Sequence, residues 1–427
     1  MNTIKEIEFL LKKLFPINRG LVTKENLKTL RLIKKILPIK ILSVKSGKKV
    51  FDWRVPKEWE ITNAFISNLD GKKIIDFEKN NLHVATNSKK INKVISFKEL
   101  KKKLNYLKNS IPYRTMYYKN DWSFCINEKQ YKILSKFKKL KVVINSKFKE
   151  GRLNIGEFII KGRSKKEILL STYICHPSLA NDNLSGIILT TLLGKFLKNL
   201  KNLKWSYRIV FLPETIGAIS YLSLKKELIK KNVICGFVIT CVGGKDIFSY
   251  KETWNNRHFL NKIINSFFIK NKIKFKKYSF DINGSDERQY SSVGFRINMA
   301  SIFKSKYYEY KEYHNSLDNL NFVKAINIKK SLEIYKKIIN EVEKVNLYES
   351  NIKFGEPMLS KRNLYKKTGG SFIPKKKFAD SEIILWVLFL LDGQTTIEQI
   401  SEKLKIRRNF LIKLIKKLVK KKLIKEI

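Results

Sequence analysis

Between residues 150 and 345 the chain alternates short, mostly apolar runs with longer stretches of helical apolar spacing. The runs Glu167–Cys175, Tyr207–Leu212, Val233–Val242 and Ile297–Ile302 read as buried strands. Leu184–Leu200, Ala218–Lys230, Asn255–Phe268 and Phe322–Val345 read as the helices between and after them. Such alternation packs as an α/β domain, a mainly parallel sheet flanked by helices. In sheets of this kind, functional groups gather at the carboxyl ends of the strands.

The flanks have a different texture. Residues 1–40 read as two short helices broken at Pro16–Gly20. From about 45 to 120, β-like runs such as Lys49–Trp53 and Lys73–Phe77 alternate with turns such as Asp70-Gly71. At the other end, Gly369-Gly370 and Pro374-Lys375-Lys376-Lys377 read as a linker. Beyond it, Ser381–Leu391 reads as a helix, and Thr396 with Gln399 as the capping box of a second. Arg408–Leu418 is a third helix, and Lys422–Ile427 is strand-like. That order is the winged-helix layout. The expected domains are therefore an α/β domain from 1–45 and 121–350, a β-rich insert at 46–120, and a winged helix at 377–427.

Composition narrows the class. An apolar share of 43% over 427 residues supports a packed core in two or three domains. The net charge of +52 would suit a nucleic-acid partner, but its lysines are spread along the whole chain rather than clustered. The Lys413–Lys425 stretch can be read as a DNA-facing helix or as a solvated amphipathic one. The winged helix can equally serve dimerisation or cover a site, and homo-oligomerisation stays open. Four cysteines, none spaced as CxxC, fit a reduced, cytoplasmic setting. Met1–Lys13 lacks the apolar core of a signal peptide. The longest apolar run, Ile383–Leu391, is too short for a bilayer span, so no membrane partner is expected.

Histidine is scarce: His83, His176, His258 and His314 are the full set. His83 and His258 lie outside any motif and read as structural. His176 follows a buried run, so it sits at a strand's carboxyl end. Asp182 comes six residues later, at a helix start, and Glu214 ends the next strand. His314 lies just before the last helix of the α/β domain. Two imidazoles and a carboxylate are the usual ligands of a catalytic zinc with an open position. A further carboxylate, here Glu214, can take a proton from water. Each element alone has a plain structural reading, as a packed imidazole or a helix cap. Their consistent placement carries the case.

These segments also carry a resemblance. Cys175-His176-Pro177-Ser178 with Ala180–Gly186, Leu212–Gly217 and Tyr313–Asn319 resemble the co-catalytic zinc aminopeptidases of the bacterial leucyl-aminopeptidase type. Over nearly its full length the chain is similar to a bacterial aminopeptidase-like subfamily with an inserted β-domain and a C-terminal winged helix. Phe51–Trp59 and Gly284–Tyr290 are also similar to that subfamily. The resemblance implies His176 and His314 as metal ligands, Asp182 as the bridging aspartate and Glu214 as general base. Two ligands of the wider family are replaced, one by Thr215 and one by Thr240, or Cys241 with a one-residue slip. A single zinc is therefore expected, on His176, Asp182 and His314, which Cys241 can join as a thiolate.

The implied activity is hydrolysis of an N-terminal peptide bond or related amide, with Tyr313 steadying the oxyanion or simply packing. Subfamily members are linked to polysaccharide or secondary-metabolite synthesis, so the amide of a sugar conjugate or other small molecule also qualifies. Asp286, Glu287 and Arg288 either bind the substrate or form a structural ion network. Tyr113, Tyr117, Tyr118 and Trp122 either wall a pocket or pack. The alternative function is a degenerate regulator that binds DNA through the winged helix, and glutaminyl-cyclase-like acyl transfer is a third.

Overall fold

The computed structural model describes residues 3–117, 119–365 and 380–427. The linker expected at 369–377, and Tyr118, lie outside the described residues.

Two amphipathic helices open the chain, α1 (Thr3–Leu14) and α2 (Lys24–Lys34). Ile7, Leu10, Leu11 and Leu14 of α1 recur at three- and four-residue intervals and all face the core. The main-domain elements then follow as β1 (Lys40–Lys45), β2 (Arg152–Ile160), β3 (Glu167–Tyr173), α3 (Gly186–Lys198) and β4 (Ser206–Leu212). After them come α4 (Ile216–Leu224), β5 (Val233–Val238), β6 (Phe248–Lys251) and α5 (Phe259–Lys270). β7 (Phe275–Tyr278), β8 (Asn298–Phe303) and α6 (Ala325–Glu343) complete the domain.

The eight strands form one sheet in the order β1-β2-β4-β3-β5-β8-β6-β7. Its centre, β4-β3-β5-β8, is parallel throughout. The joins β1–β2, β2–β4 and β8–β6 are antiparallel. β3, β4 and β5 are buried along their whole length, as their predominantly apolar sequences lead one to expect. One face of the sheet packs on a core shared by α1, α3, α5 and α6. The other packs on a smaller core that includes α4. Within the sheet, Arg208 of β4 is buried and holds Glu157 of β2 and Glu167 of β3, each at 2.6 Å.

Several elements differ from expectation. The strand expected over Val233–Val242 stops at Val238, which leaves 239–242 free to turn into the site. The helix expected over Ala218–Lys230 breaks at Lys225 into Ile216–Leu224 and Lys226–Asn232.

The insert is larger than 46–120. Its four-stranded sheet orders Lys73–Asp76, Glu58–Ser67, Lys139–Lys149 and Ile91–Ser96. Lys139–Lys149 pairs with strands on both sides, so by pairing it sits with the insert and not with the α/β sheet. Trp59, Ile66, Phe124, Val142 and Ile144 form its core.

The winged helix also begins earlier than 377. Its sheet places Leu347–Ser350 between Asp392–Thr396 and Ile424–Glu426. Three helices, Asp380–Leu390, Ile397–Leu404 and Arg408–Lys420, pack against it. The capping box of Thr396 and Gln399 is present. The unit docks through Lys204–Glu426 at 2.8 Å, a Lys262–Glu402 ion pair, and the bond from Gln399 Nε2 to the Arg257 carbonyl. Lys204 lies just before β4, at the amino-terminal end of the parallel strands. The site residues lie at the other end, so this winged helix does not cover the site of its own chain. Among the described residues no helix is long and apolar enough to cross a membrane.

Candidate metal centre

β3 ends at Tyr173, and the chain runs through His176 into an irregular turn, Ala180–Ser185, that enters α3. Gly186 lets α3 start against the end of β5, since a Cβ there would lie 2.4 Å from the Ile239 carbonyl oxygen. Asn183 fastens the turn to the strand by donating to Thr172 Oγ1 and the Tyr173 carbonyl, both at 2.9 Å. Asp318 holds it from the far side. Its carboxylate accepts the backbone N–H of Asn181 at 2.6 Å and of Asp182 at 3.0 Å.

The insert positions the second histidine. Tyr113 N–H donates to the His314 carbonyl at 2.7 Å, and Ile111 and Ser316 exchange bonds alongside. The Tyr113 ring also lies 5.1 Å from the rings of both His176 and His314. Tyr113 therefore does line the site. Trp122 joins the insert core instead, and Tyr117 stacks on Trp53.

His176, Asp182 and His314 converge, with ligand atoms all within 4.8 Å of one another. His176 Nε2 is 3.9 Å from Asp182 Oδ2, and His314 Nε2 is 3.0 Å from the same oxygen. His314 Nε2 is in ion-pair reach of that oxygen but is a buried nitrogen without a regular hydrogen bond. The other Asp182 oxygen accepts from Tyr173, whose hydroxyl also lies 2.6 Å from Thr240 Oγ1. His176 and Asp182 are buried, whereas the His314 side chain is 30% exposed and marks the open side.

Electrostatics fit a cation here. Burial pushes His176 down to about 4 against the pull of Asp182, so its imidazole is neutral near pH 7 and has a lone pair to give. Burial opposes the Asp182 charge, but His176, His314 and Tyr173 outweigh it and hold its carboxyl at about 2. Glu214 lies at the end of β4, partly exposed. Burial raises its carboxyl well above the ordinary range, and Asp286 and Asp182 add to the rise. Asp286 and Asp318 are likewise raised by burial to about 7. A positive charge among these acids offsets their repulsion. A buried histidine nitrogen without a regular hydrogen bond, a neutral imidazole and an ionised carboxylate that share one focus are the donor set a divalent ion takes.

Not every candidate joins the focus. Cys241 is fully buried, accepts from Thr240 Oγ1 at 3.3 Å, and packs with Phe303, Tyr307 and Tyr310. Among the described residues it is not part of the convergent set. Thr240 bonds Tyr173 and Cys241, and Thr215 stands at the N-cap position of α4 without a side-chain cap bond. Glu287 is buried and both its oxygens accept from the protein's own donors, which favours the internal-network reading for it, whereas Asp286 accepts the Thr215 N–H on one oxygen and leaves the other buried without a hydrogen bond. Arg288 is partly exposed, and its charge is felt by Glu214 and Asp286. Tyr313 stacks on His314 with centroids 3.9 Å apart, and its hydroxyl feels Asp182 and Glu214. Ser178, Thr215, Cys241, Tyr308 and His314 all hold positive φ angles. Such backbone persists where the surroundings enforce it.

Tyr173, Asp318 and Ser285 belong to this arrangement without having been singled out from sequence. Asp318 lies within the Tyr313–Asn319 motif, and Ser285 within Gly284–Tyr290. Tyr173 ends an apolar run and gives no signal beyond strand.

A β-sheet of this order, with a His–Asp–His focus at its carboxyl edge and a winged helix at the other end, defines an aminopeptidase-like chain. It belongs to the family described as Domain of unknown function (DUF4910), which matches residues 9–345, and residues 346–426 match a winged helix-turn-helix. A Clostridium acetobutylicum protein is 40% identical over 402 residues, 93% of this chain and 91% of that one. Its name assigns it provisionally to polysaccharide biosynthesis, with an aminopeptidase-like domain. The crystal structure of a provisionally assigned peptidase from Clostridium acetobutylicum is 36% identical. It matches with a TM-score of 0.78, over 100% of this chain and 97% of that chain. The Bacillus subtilis zinc aminopeptidase BSAP shares the fold at 12% identity and a TM-score of 0.57, over 80% of this chain and 94% of its own.

Proposed function

We propose that the chain is a zinc-dependent amide hydrolase of the aminopeptidase type, with one ion held by His176, Asp182 and His314. The observation that carries this reading is the convergence of His176, Asp182 and His314 on one focus, with His314 Nε2 buried there without a regular hydrogen bond. When bound, zinc supplies a Lewis acid that polarises a carbonyl and brings the pKa of water to about 7. Glu214 accepts a proton from the attacking water and returns it to the leaving amine. Tyr313, over His314, donates its hydroxyl to the oxygen on which negative charge develops. Arg288, partly exposed beside Glu214, meets an anionic end of the substrate.

The substrate is an N-terminal peptide bond or a related amide. The assignment of the Clostridium relative to polysaccharide biosynthesis favours an amide on a sugar or other small conjugate. All four cysteines are free and buried, which suits a reducing cytoplasm.

Metal analysis of the purified protein, with an amide panel that includes L-leucine p-nitroanilide, tests the reading. One zinc per chain is expected, and Glu214→Gln should lower kcat by about 10²–10⁴-fold. A metal-free protein in which Glu214→Gln is as active as the wild type overturns it.

A further inference from the structure

Lysine is almost never fully buried without a partner, yet Lys251, at the end of β6, is 2% exposed. Its Nζ donates to the Asn283 carbonyl at 3.1 Å and lies 3.2 Å from Tyr307 Oη. It forms no direct ion pair among the described residues. Burial pushes its pKa down, and the largest charge acting against that is Glu287, itself fully buried. Tyr307 lies between the two, its hydroxyl 3.5 Å from Glu287 Oε1, and Ser301 donates to that same oxygen. Gly284 passes so close that an added Cβ would meet Tyr307 Oη at 2.5 Å and Lys251 Nζ at 2.6 Å. Its φ of +149° is one that glycine adopts freely.

This clamped segment leads straight to Glu214. Glu287 accepts the Ser285 N–H at 3.1 Å, and Ser285 Oγ donates to Glu214 Oε1 at 2.7 Å. The next residue, Asp286, accepts the Thr215 N–H at 2.7 Å and so holds the left-handed turn that follows Glu214. One segment, 283–287, thus grips both the side chain and the backbone neighbour of the proposed base.

We propose that Lys251 and residues 283–287 form a positioning cradle for Glu214, in which Ser285 orients the carboxylate and the buried Lys251 amino group locks the segment through Asn283 and Tyr307. The role of Glu214 as base rests on the hydrolase reading above, whereas the cradle itself is a claim about geometry. Lys251 and Ser285 are positioning residues, and neither is expected to touch substrate.

Two measurements on the full-length zinc-loaded protein test it. Hydrogen exchange in Lys251→Met should show the Ser285 amide losing protection at least tenfold, with β3 and β4 unchanged. Ser285→Ala, which leaves the backbone bonds in place, should lower kcat on L-leucine p-nitroanilide about 10–100-fold with KM within twofold. Ser285→Thr, which restores a hydroxyl, should recover most of that loss. An unchanged Ser285 amide in Lys251→Met overturns the cradle. So does a Ser285→Ala enzyme with wild-type kcat, or one that changes only in KM. A wild type inert on every amide tested counts against the hydrolase reading alone, because the exchange experiment still decides the cradle.

Discussion

Asp318 is fully buried, yet it decides where Asp182 points. Its two oxygens each accept one backbone N–H of the Asn181–Asp182 turn. Asparagine offers only one acceptor there and would press an amide against an N–H donor. Residues that orient ligands typically contribute 10–100-fold to metal affinity. Asp318→Asn should therefore weaken zinc binding about 10–100-fold, read by competition with a chromophoric chelator, while the fold survives. Wild-type affinity in that variant would show that the turn holds without Asp318. At this scale the sequence exposes the groups that meet at the focus. His176, Asp182, Glu214 and His314 stand out because histidine is rare and because each ends or starts an element. Their supports are hidden, since they act through contacts distant in sequence. Tyr173 reaches Asp182 from within an apolar run, and Ser285 meets Glu214 across 71 residues.

The buried strands and long helices were legible for a physical reason. β3, β4 and β5 are covered on both faces, so they are mostly apolar and their few polar residues, such as Arg208 and Glu167, pair inside the sheet, and α6 carries a stripe that recurs with the helical period. The short edge strands were not. β6 and β7 hold four residues each and mix lysine with aromatics, which leaves no period to read. The start of α5 shows how an element end can carry pH dependence. His258 caps the helix by accepting the Leu260 N–H on Nδ1 at 3.3 Å, and its Nε2 is buried without a partner. Burial pushes its pKa down to about 3. The unfolded chain, titrating near 6.5, therefore takes up the proton more readily than the fold does. The stability held by neutral His258 is complete above about pH 6.5 and drains as pH falls toward 3. His258→Asn keeps an acceptor at the cap and removes the titration. Between pH 7 and pH 5 the wild type should lose about 2 kcal/mol more than the variant. Urea unfolding of both proteins at the two pH values measures this, and parallel losses would mean that His258 is protonated in the fold.

At the scale of the whole molecule, the charge and the winged helix have to be considered together. Residues 346–427 carry 19 Lys and Arg against 8 Asp and Glu, a net +11 of the chain's +52. That is about a fifth of the charge on about a fifth of the length, so the winged helix is no more basic than the rest. Its third helix exposes Lys413, Lys416, Lys417 and Lys420. Near its start, however, Arg408 is paired to Glu398 at 2.7 Å and lines the cleft shared with α5, beside Lys262. In helix-turn-helix readers the amino-terminal residues of the recognition helix meet the bases, and here that end is turned toward the α/β domain. The physical expectation is diffuse attraction to polyanions over the whole surface. Binding to a random-sequence duplex, followed by fluorescence anisotropy, should fall at least 100-fold between 50 and 200 mM salt. Changing Lys413, Lys416, Lys417 and Lys420 to Gln removes four of fifty-two net charges. It should therefore weaken that binding by less than about threefold at 150 mM salt, where each exposed charge is largely screened beyond about 8 Å. A loss of tenfold or more at that salt would instead locate a nucleic-acid interface on this helix. It would also mean that the docked arrangement opens to admit the duplex, because the bonds from Gln399 to Arg257 and from Lys262 to Glu402 hold the unit against α5.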